Sequence, residues 1–243
     1  MPDKTCRHDY IPIRGWLDLP HALPHNSGLV SIPIVGENNK LPMRLGLLGG
    51  TFDPVHVGHL ILAQCALEQC RLDEVWFLPA AIAPHKQDRA PALPEHRLAM
   101  LELATAGNEQ FRVCGYEIDR GGVNYTVDTL RHLREEDAAR ELCFLLGADM
   151  LNDLPNWREA GEVCRLATPV AVRRAGSPEP DFTALSHLTD AERMQEIRRH
   201  QVEMPEIGIS STGLRRQIAA GRSIRYRVPH AVACYIEQHG LYR

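Results

Sequence analysis

Two histidines three residues apart, His56 and His59, lie in the segment Gly49-Gly50-Thr51-Phe52-Asp53-Pro54-Val55-His56-Val57-Gly58-His59. That spacing puts both imidazoles on one face of the first turn of a helix. Gly58 leaves the face open, while Gly49 and Gly50 let the chain turn tightly and let a ligand reach the backbone. A helix start offers unpaired N–H donors and the positive end of the helix dipole. A phosphate there would meet N–H groups from below and two imidazoles from the side. A single histidine reads more readily as a cap or a core residue; the pair, the glycine and the strand-to-helix setting together point to an anion. No Gly-Lys-Ser/Thr occurs, so this is not a Walker loop, and it is not the GxGxxG dinucleotide fingerprint. No Glu or Cys partner accompanies the pair, which argues against zinc.

A second segment, Ile209-Ser210-Ser211-Thr212-Gly213-Leu214-Arg215, opens another helix with three hydroxyls. A plain N-cap needs only one. Three hydroxyls with an arginine one turn on make a seat for a triphosphate.

The elements that must position these groups are legible as alternating apolar runs and helical stripes. Strands are expected at Leu45–Leu48, Val75–Leu78, Phe111–Ile118, Leu142–Leu146, Pro169–Arg173 and Ile207–Ile209. Helices are expected at Val57–Arg71, Glu95–Ala106, Tyr125–Asp137, Ala160–Leu166, Ala191–His200, Ser211–Ala220 and Pro229–His239. A Pro-rich loop spans Pro79–Pro94, and residues 175–204 outside that one helix give no clear pattern. Such alternation implies an α/β fold: a Rossmann-like parallel sheet covered by helices on both faces, with a small C-terminal helical part. Ligands on such sheets bind beyond the carboxyl ends of the strands.

The chain has 243 residues, 44% hydrophobic and 24% charged, which excludes fibrous, mucin-like and mostly disordered classes. No run of about 18 apolar residues occurs, so no membrane span is expected. The net charge of −4 argues against a dedicated nucleic-acid binder. It is unevenly spread: residues 43–164 carry 11 basic and 19 acidic side chains, residues 165–243 carry 12 and 8. A basic last third beside an acidic middle fits anionic ligands held by particular arginines. The 7 cysteines form no CxxC pair and mostly sit in apolar runs, as buried thiols in a reducing cytoplasm would. Residues 1–42 hold 6 of the 17 prolines and no periodicity. Met43 is therefore expected to begin a catalytic domain of residues 43–243, with residues 1–42 a poorly ordered extension or a mis-assigned start.

The His and Ser-Ser-Thr segments together resemble the nucleotidyltransferase superfamily, whose members join a nucleoside triphosphate to a phosphorylated partner. Further segments narrow the resemblance to the bacterial nicotinate-nucleotide adenylyltransferases: Ala83-Pro84-His85-Lys86, Asn124-Tyr125-Thr126-Val127-Asp128-Thr129-Leu130, Leu146-Gly147-Ala148-Asp149, Leu154-Pro155-Asn156-Trp157, Val172-Arg173-Arg174 and Gln238-His239-Gly240-Leu241-Tyr242. The resemblance implies adenylyl transfer from ATP to nicotinate mononucleotide, with nicotinate adenine dinucleotide and pyrophosphate as products. It implies Mg²⁺ held by substrate phosphates and water, with no protein metal ligand. His56, His59 and Arg215 would be catalytic. Gly50, Thr51, Phe52, Gly58, Gly147, Asp149, Ser211 and Thr212 would bind ATP. His85, Lys86, Tyr125, Thr126, Trp157 and Arg174 would bind the mononucleotide, with Trp157 stacking on the pyridine ring. Phosphopantetheine and nicotinamide mononucleotide adenylyltransferases are the nearest rivals, then a cytidylyltransferase; a non-catalytic nucleotide sensor is the rival of another class. The partners implied are small molecules, with neither nucleic acid nor membrane, in the cytoplasm; a homo-oligomer stays compatible with the sequence.

Overall fold

The computed structural model describes residues 42–81 and 91–243. In chain order the elements are β1 (Arg44–Gly50), α1 (Val57–Cys70), β2 (Glu74–Pro79), α2 (Pro94–Thr105), β3 (Phe111–Val113), α3 (Tyr116–Arg120), α4 (Thr126–Glu136), β4 (Glu141–Gly147), α5 (Ala148–Asp153), α6 (Ala160–Leu166), β5 (Thr168–Arg174), α7 (Ala191–Arg199), β6 (Gln201–Met204), α8 (Ser211–Ala219) and α9 (His230–Gln238). The six strands form one parallel sheet in the order β3-β2-β1-β4-β5-β6. Strand order reverses between the central neighbours β1 and β4, and in open α/β sheets ligands bind at that switch point.

Period-two alternation divides the apolar strand residues between two cores. Leu45 and Leu47 of β1, with Leu142, Phe144 and Leu146 of β4, pack under Val127, Leu130 and Leu133 of α4 and Val163 of α6. Leu48, Cys143 and Leu145 face the other way, toward Ala63 and Leu67 of α1, Met100 and Leu101 of α2, Leu214 of α8 and Val232 and Ile236 of α9. A strand buried on both faces must be apolar throughout, which is why β1 and β4 read as continuous runs. Gly46 is the gap in β1: a Cβ there would lie 2.6 Å from Leu72 Cδ1 and 3.0 Å from Val75 Cγ2.

The expected fold class is the one observed, and three segments differ from expectation. The strand over Phe111–Ile118 stops at Val113, and Tyr116–Arg120 forms a short helix instead. There Tyr116 stacks on His132 with centroids 3.9 Å apart, and Glu117 accepts a hydrogen bond from Thr129 Oγ1 at 2.9 Å. Those contacts to α4 override the strand pattern. The last strand is not Ile207–Ile209 but β6, ended by Pro205, which cannot donate to a ladder. Its open edge is met by the Gln69 amide, which donates to the Glu203 carbonyl at 2.7 Å and accepts the Glu203 N–H at 2.9 Å. Helix α5 went unread because six residues carry too little periodicity. Of the cysteines expected to be buried, Cys70, Cys143 and Cys164 are; Cys65 and Cys114 are half-buried, and Cys234 lies on the outer face of α9.

Gly46→Val places a branched side chain where Leu72 and Val75 already pack. It should lower stability by about 1–3 kcal/mol in urea unfolding, while an equal midpoint would show that the two side chains move aside freely.

Candidate active site

The chain leaves β1 at Gly50 and turns at once. Phe52 adopts a left-handed φ of 49° and is buried. Its ring packs between Phe77, at 5.7 Å, and His59, edge-on at 5.0 Å. A Cβ on Gly50 would lie 3.1–3.3 Å from that ring, so the second glycine is what lets Phe52 fold back under the strand end.

At the start of α1, His56 is the N-cap and His59 the third helical residue. The His56 backbone N–H donates to His59 Nδ1 at 3.2 Å. The two rings stack, 3.7 Å apart and 20° from parallel. Accepting at Nδ1 places the proton of neutral His59 on Nε2, which is thereby a donor. His56 lies over Gly58, whose Cβ would come within 3.1 Å of the His56 ring. Burial pushes the His56 pKa down from 6.5 to about 4, so this imidazole is neutral at pH 7. Its Nδ1 is buried beside the first turn of α1.

The three hydroxyls at the start of α8 do three different things. Ser210 Oγ accepts the Gly213 N–H at 3.1 Å and is the plain N-cap. Ser211 Oγ donates to the Pro54 carbonyl at 2.9 Å. Thr212 Oγ1 accepts from Arg215 Nη2 at 3.2 Å. Arg215 Nη1 donates to the Asp53 carbonyl at 2.7 Å and lies 3.6 Å from Asp53 Oδ2. The α8 start is therefore fastened to the β1–α1 turn, and the His and Ser-Ser-Thr segments lie together.

The other expected residues that are described lie at or after the ends of β3, β4 and β5 in the chain. Gly147 ends β4 and caps α5, and Asp149 follows on the exposed first turn. Leu47 of β1 is in register with Phe144 of β4, so Gly50 and Gly147 lie at matching strand ends. Tyr125 is the N-cap of α4 and Thr126 its first residue, with no side chain capping the helix. Trp157 is half-buried, edge-on to Phe144 at 5.9 Å, and its Nε1–H donates to Asp153 at 3.1 Å. The Arg158 guanidinium lies 4.6 Å from the Tyr125 ring centroid, which brings the Tyr-Thr and Asn-Trp segments together. Arg174 ends β5, exposed and two strands from β1. His85 and Lys86 lie outside the described residues.

Three residues were not singled out by sequence: Asp53, Arg97 and Tyr242. Arg97 is fully buried and donates to the carbonyls of Thr51 at 2.9 Å, Ala80 at 2.7 Å, Ala81 at 3.3 Å and Ala92 at 3.2 Å. Asp53 Oδ1 accepts the Tyr242 hydroxyl at 2.7 Å and the Ala92 N–H at 3.1 Å. The legible signal for Arg97 was a charge on the inward stripe of α2, beside Met100 and Leu101.

A histidine held neutral by burial contributes stability that is complete above pH 6.5 and lost as pH falls from 6.5 toward 4. The loss should reach at most about 1.4 kcal/mol per pH unit. Urea unfolding of wild type and His56→Asn across that window should show a shallower acid dependence in the variant; parallel curves would mean that His56 is not the group responsible.

Residues 47–217 match the cytidylyltransferase-like family. The chain is 44% identical over 199 residues to a "Probable nicotinate-nucleotide adenylyltransferase" of Rhodopirellula baltica, covering 82% of this chain and 93% of that one. It is 46% identical over 203 residues to one of the same name from Thermus thermophilus, covering 83% and 100%. Its fold resembles the solved Plasmodium falciparum nicotinic acid mononucleotide adenylyltransferase complexed with NaAD, with a TM-score of 0.63 at 17% identity, covering 82% of this chain and 97% of that one. The chain belongs to the cytidylyltransferase-like family and, within it, to the nicotinate-nucleotide adenylyltransferases.

Proposed function

We infer that this protein transfers the adenylyl group of ATP to nicotinate mononucleotide, giving nicotinate adenine dinucleotide and pyrophosphate, a step of NAD synthesis. The observation that carries the reading is the fastening of the α8 start to the β1–α1 turn through Ser211 and Arg215. It makes one polyanion seat at the switch point of the sheet.

An oxygen of the mononucleotide phosphate attacks the α-phosphorus of ATP, and the bond from that phosphorus to the oxygen bridging to the β-phosphorus breaks. The acceptor is a phosphate monoester, with a second pKa of about 6, and it arrives ionised. No protein nucleophile or base is needed; the work is alignment and charge stabilisation. His56, held neutral by burial, and His59, through Nε2, act as hydrogen-bond donors to the phosphates, with Gly50, Thr51, Phe52 and Gly58 supplying backbone close to them. Ser211, Thr212 and Arg215 take the β- and γ-phosphates, where leaving charge develops. Gly147 and Asp149 meet the adenosine.

Trp157 stacks on the pyridine ring. The uncapped start of α4 at Tyr125 and Thr126 faces its carboxylate. The amide of nicotinamide mononucleotide lacks the charge that a helix start favours. Arg174, with His85 and Lys86, takes the mononucleotide phosphate. The substrate phosphates and water would hold Mg²⁺, which would offset part of the triphosphate charge; Asp53, the carboxylate within the turn, is already engaged by Tyr242 and Ala92. Residues 43–243 form the catalytic domain, with residues 1–42 an extension to it. Among the described residues no helix is long and apolar enough to cross a membrane, in keeping with a cytoplasmic enzyme of small molecules.

Given ATP with nicotinate mononucleotide, nicotinamide mononucleotide or phosphopantetheine, the protein should release pyrophosphate fastest with the first; faster release with either other acceptor would sink the assignment. His59→Ala should lower kcat about 100-fold or more with the fold retained by circular dichroism. Trp157→Ala should raise the mononucleotide KM about 3- to 10-fold and leave the ATP KM in place, whereas an effect on ATP alone would contradict stacking.

A further inference from the structure

Tyr242, the penultimate residue, is buried, and its hydroxyl donates to Asp53 Oδ1 at 2.7 Å across 189 residues of sequence. The tail reaches that point through two left-handed residues, Gly240 at φ 61° and Tyr242 itself at φ 66°. A non-glycine residue held there is strained and persists only where its surroundings fix it. Asp53 is 5% exposed. Oδ1 is saturated by Tyr242 and by the Ala92 N–H, which turns Oδ2 toward Arg215, 3.6 Å away. Arg215 is held from the same residue a second time, by the Asp53 carbonyl at 2.7 Å. Arg215 Nη2 also donates to Thr212 Oγ1 at the start of α8.

We propose that Tyr242 is a positioning residue for adenylyl transfer: by fixing the Asp53 carboxylate it holds the Arg215 guanidinium in the orientation that receives the leaving pyrophosphate. The proposal rests on the role given to Arg215 above. Burial and the neighbouring carboxylate hold the Tyr242 hydroxyl protonated well beyond its ordinary range, so it donates at every pH at which the enzyme works. A phenylalanine would fill the same space but leave Oδ1 short of a donor. The carboxylate could then rotate, and Arg215 would lose its fixed counter-charge.

The test is a double-mutant cycle on kcat with ATP and nicotinate mononucleotide. Tyr242→Phe should lower kcat about tenfold and raise the ATP KM, with the mononucleotide KM unchanged. In an Arg215→Ala background the same change should have no further effect on kcat. Wild-type kcat in Tyr242→Phe, or an undiminished tenfold loss in the Arg215→Ala background, would overturn the relay. Wild-type turnover in Arg215→Ala would overturn the relay and the role of Arg215 together, whereas the first two results leave that role intact. Should Tyr242→Phe fail to fold, Asp53→Asn keeps an acceptor oxygen for Tyr242 while presenting an amide to Arg215. It must by itself lower kcat and raise the ATP KM with the mononucleotide KM unchanged; unaltered ATP kinetics in that variant would overturn the relay.

Discussion

A carboxylate taken almost wholly out of water has to be met by donors, or its burial costs several kcal/mol. Asp53 is met by groups from three distant parts of the chain: the approach to α2 through Ala92, the α8 arginine Arg215, and the C-terminal tail through Tyr242. Arg97 makes the complementary demand. A guanidinium with no exposure takes the carbonyls of Thr51, Ala80, Ala81 and Ala92. Between them, one buried anion and one buried cation fix the turn that follows β1 against the end of β2 and the start of α2. Breaking such an arrangement from one side leaves an uncompensated buried charge, which costs more than the pair contributes when intact.

That rigidity is what the chemistry needs. Phosphate groups supply their own nucleophile and leaving group, so an enzyme gains by pre-aligned donors rather than by proton transfer. The stacked histidines fit this. A buried imidazole with its pKa near 4 is a poor place to hold a proton at pH 7 and a good place to hold a fixed dipole. The backbone bond from His56 to His59 Nδ1 selects the tautomer whose other nitrogen donates. Gly50 and Gly58 contribute by absence: each has an aromatic ring within 3.1 Å of where a Cβ would stand.

Much of this was legible in the sequence because it is local. The apolar alternation of β1 and β4, the glycines before α1, the histidine spacing and the hydroxyl run at α8 all act within a few residues of their own positions. What escaped is what folding brings from afar. The Tyr242 hydroxyl and the Asp53 carboxylate are 189 residues apart, and no pattern in either segment announces the other. The strand expected at Phe111–Ile118 gave way to α3 because Tyr116 and Glu117 find His132 and Thr129 on α4. β6 was hidden because it has four residues, of which only Val202 and Met204 are buried, too few for a period to show. The partition of the three α8 hydroxyls among a cap, a tether and an arginine contact is a tertiary fact that composition cannot express.

If the acceptor brings its own nucleophile, the ionisation that limits the reaction belongs to the acceptor. The most direct measurement is the pH dependence of kcat/KM for nicotinate mononucleotide beside that for an analogue whose phosphate-like group has a different second pKa. The limiting ionisation should move with the acceptor. An ionisation that stays fixed whichever acceptor is used would place an essential base on the protein and contradict catalysis by alignment alone.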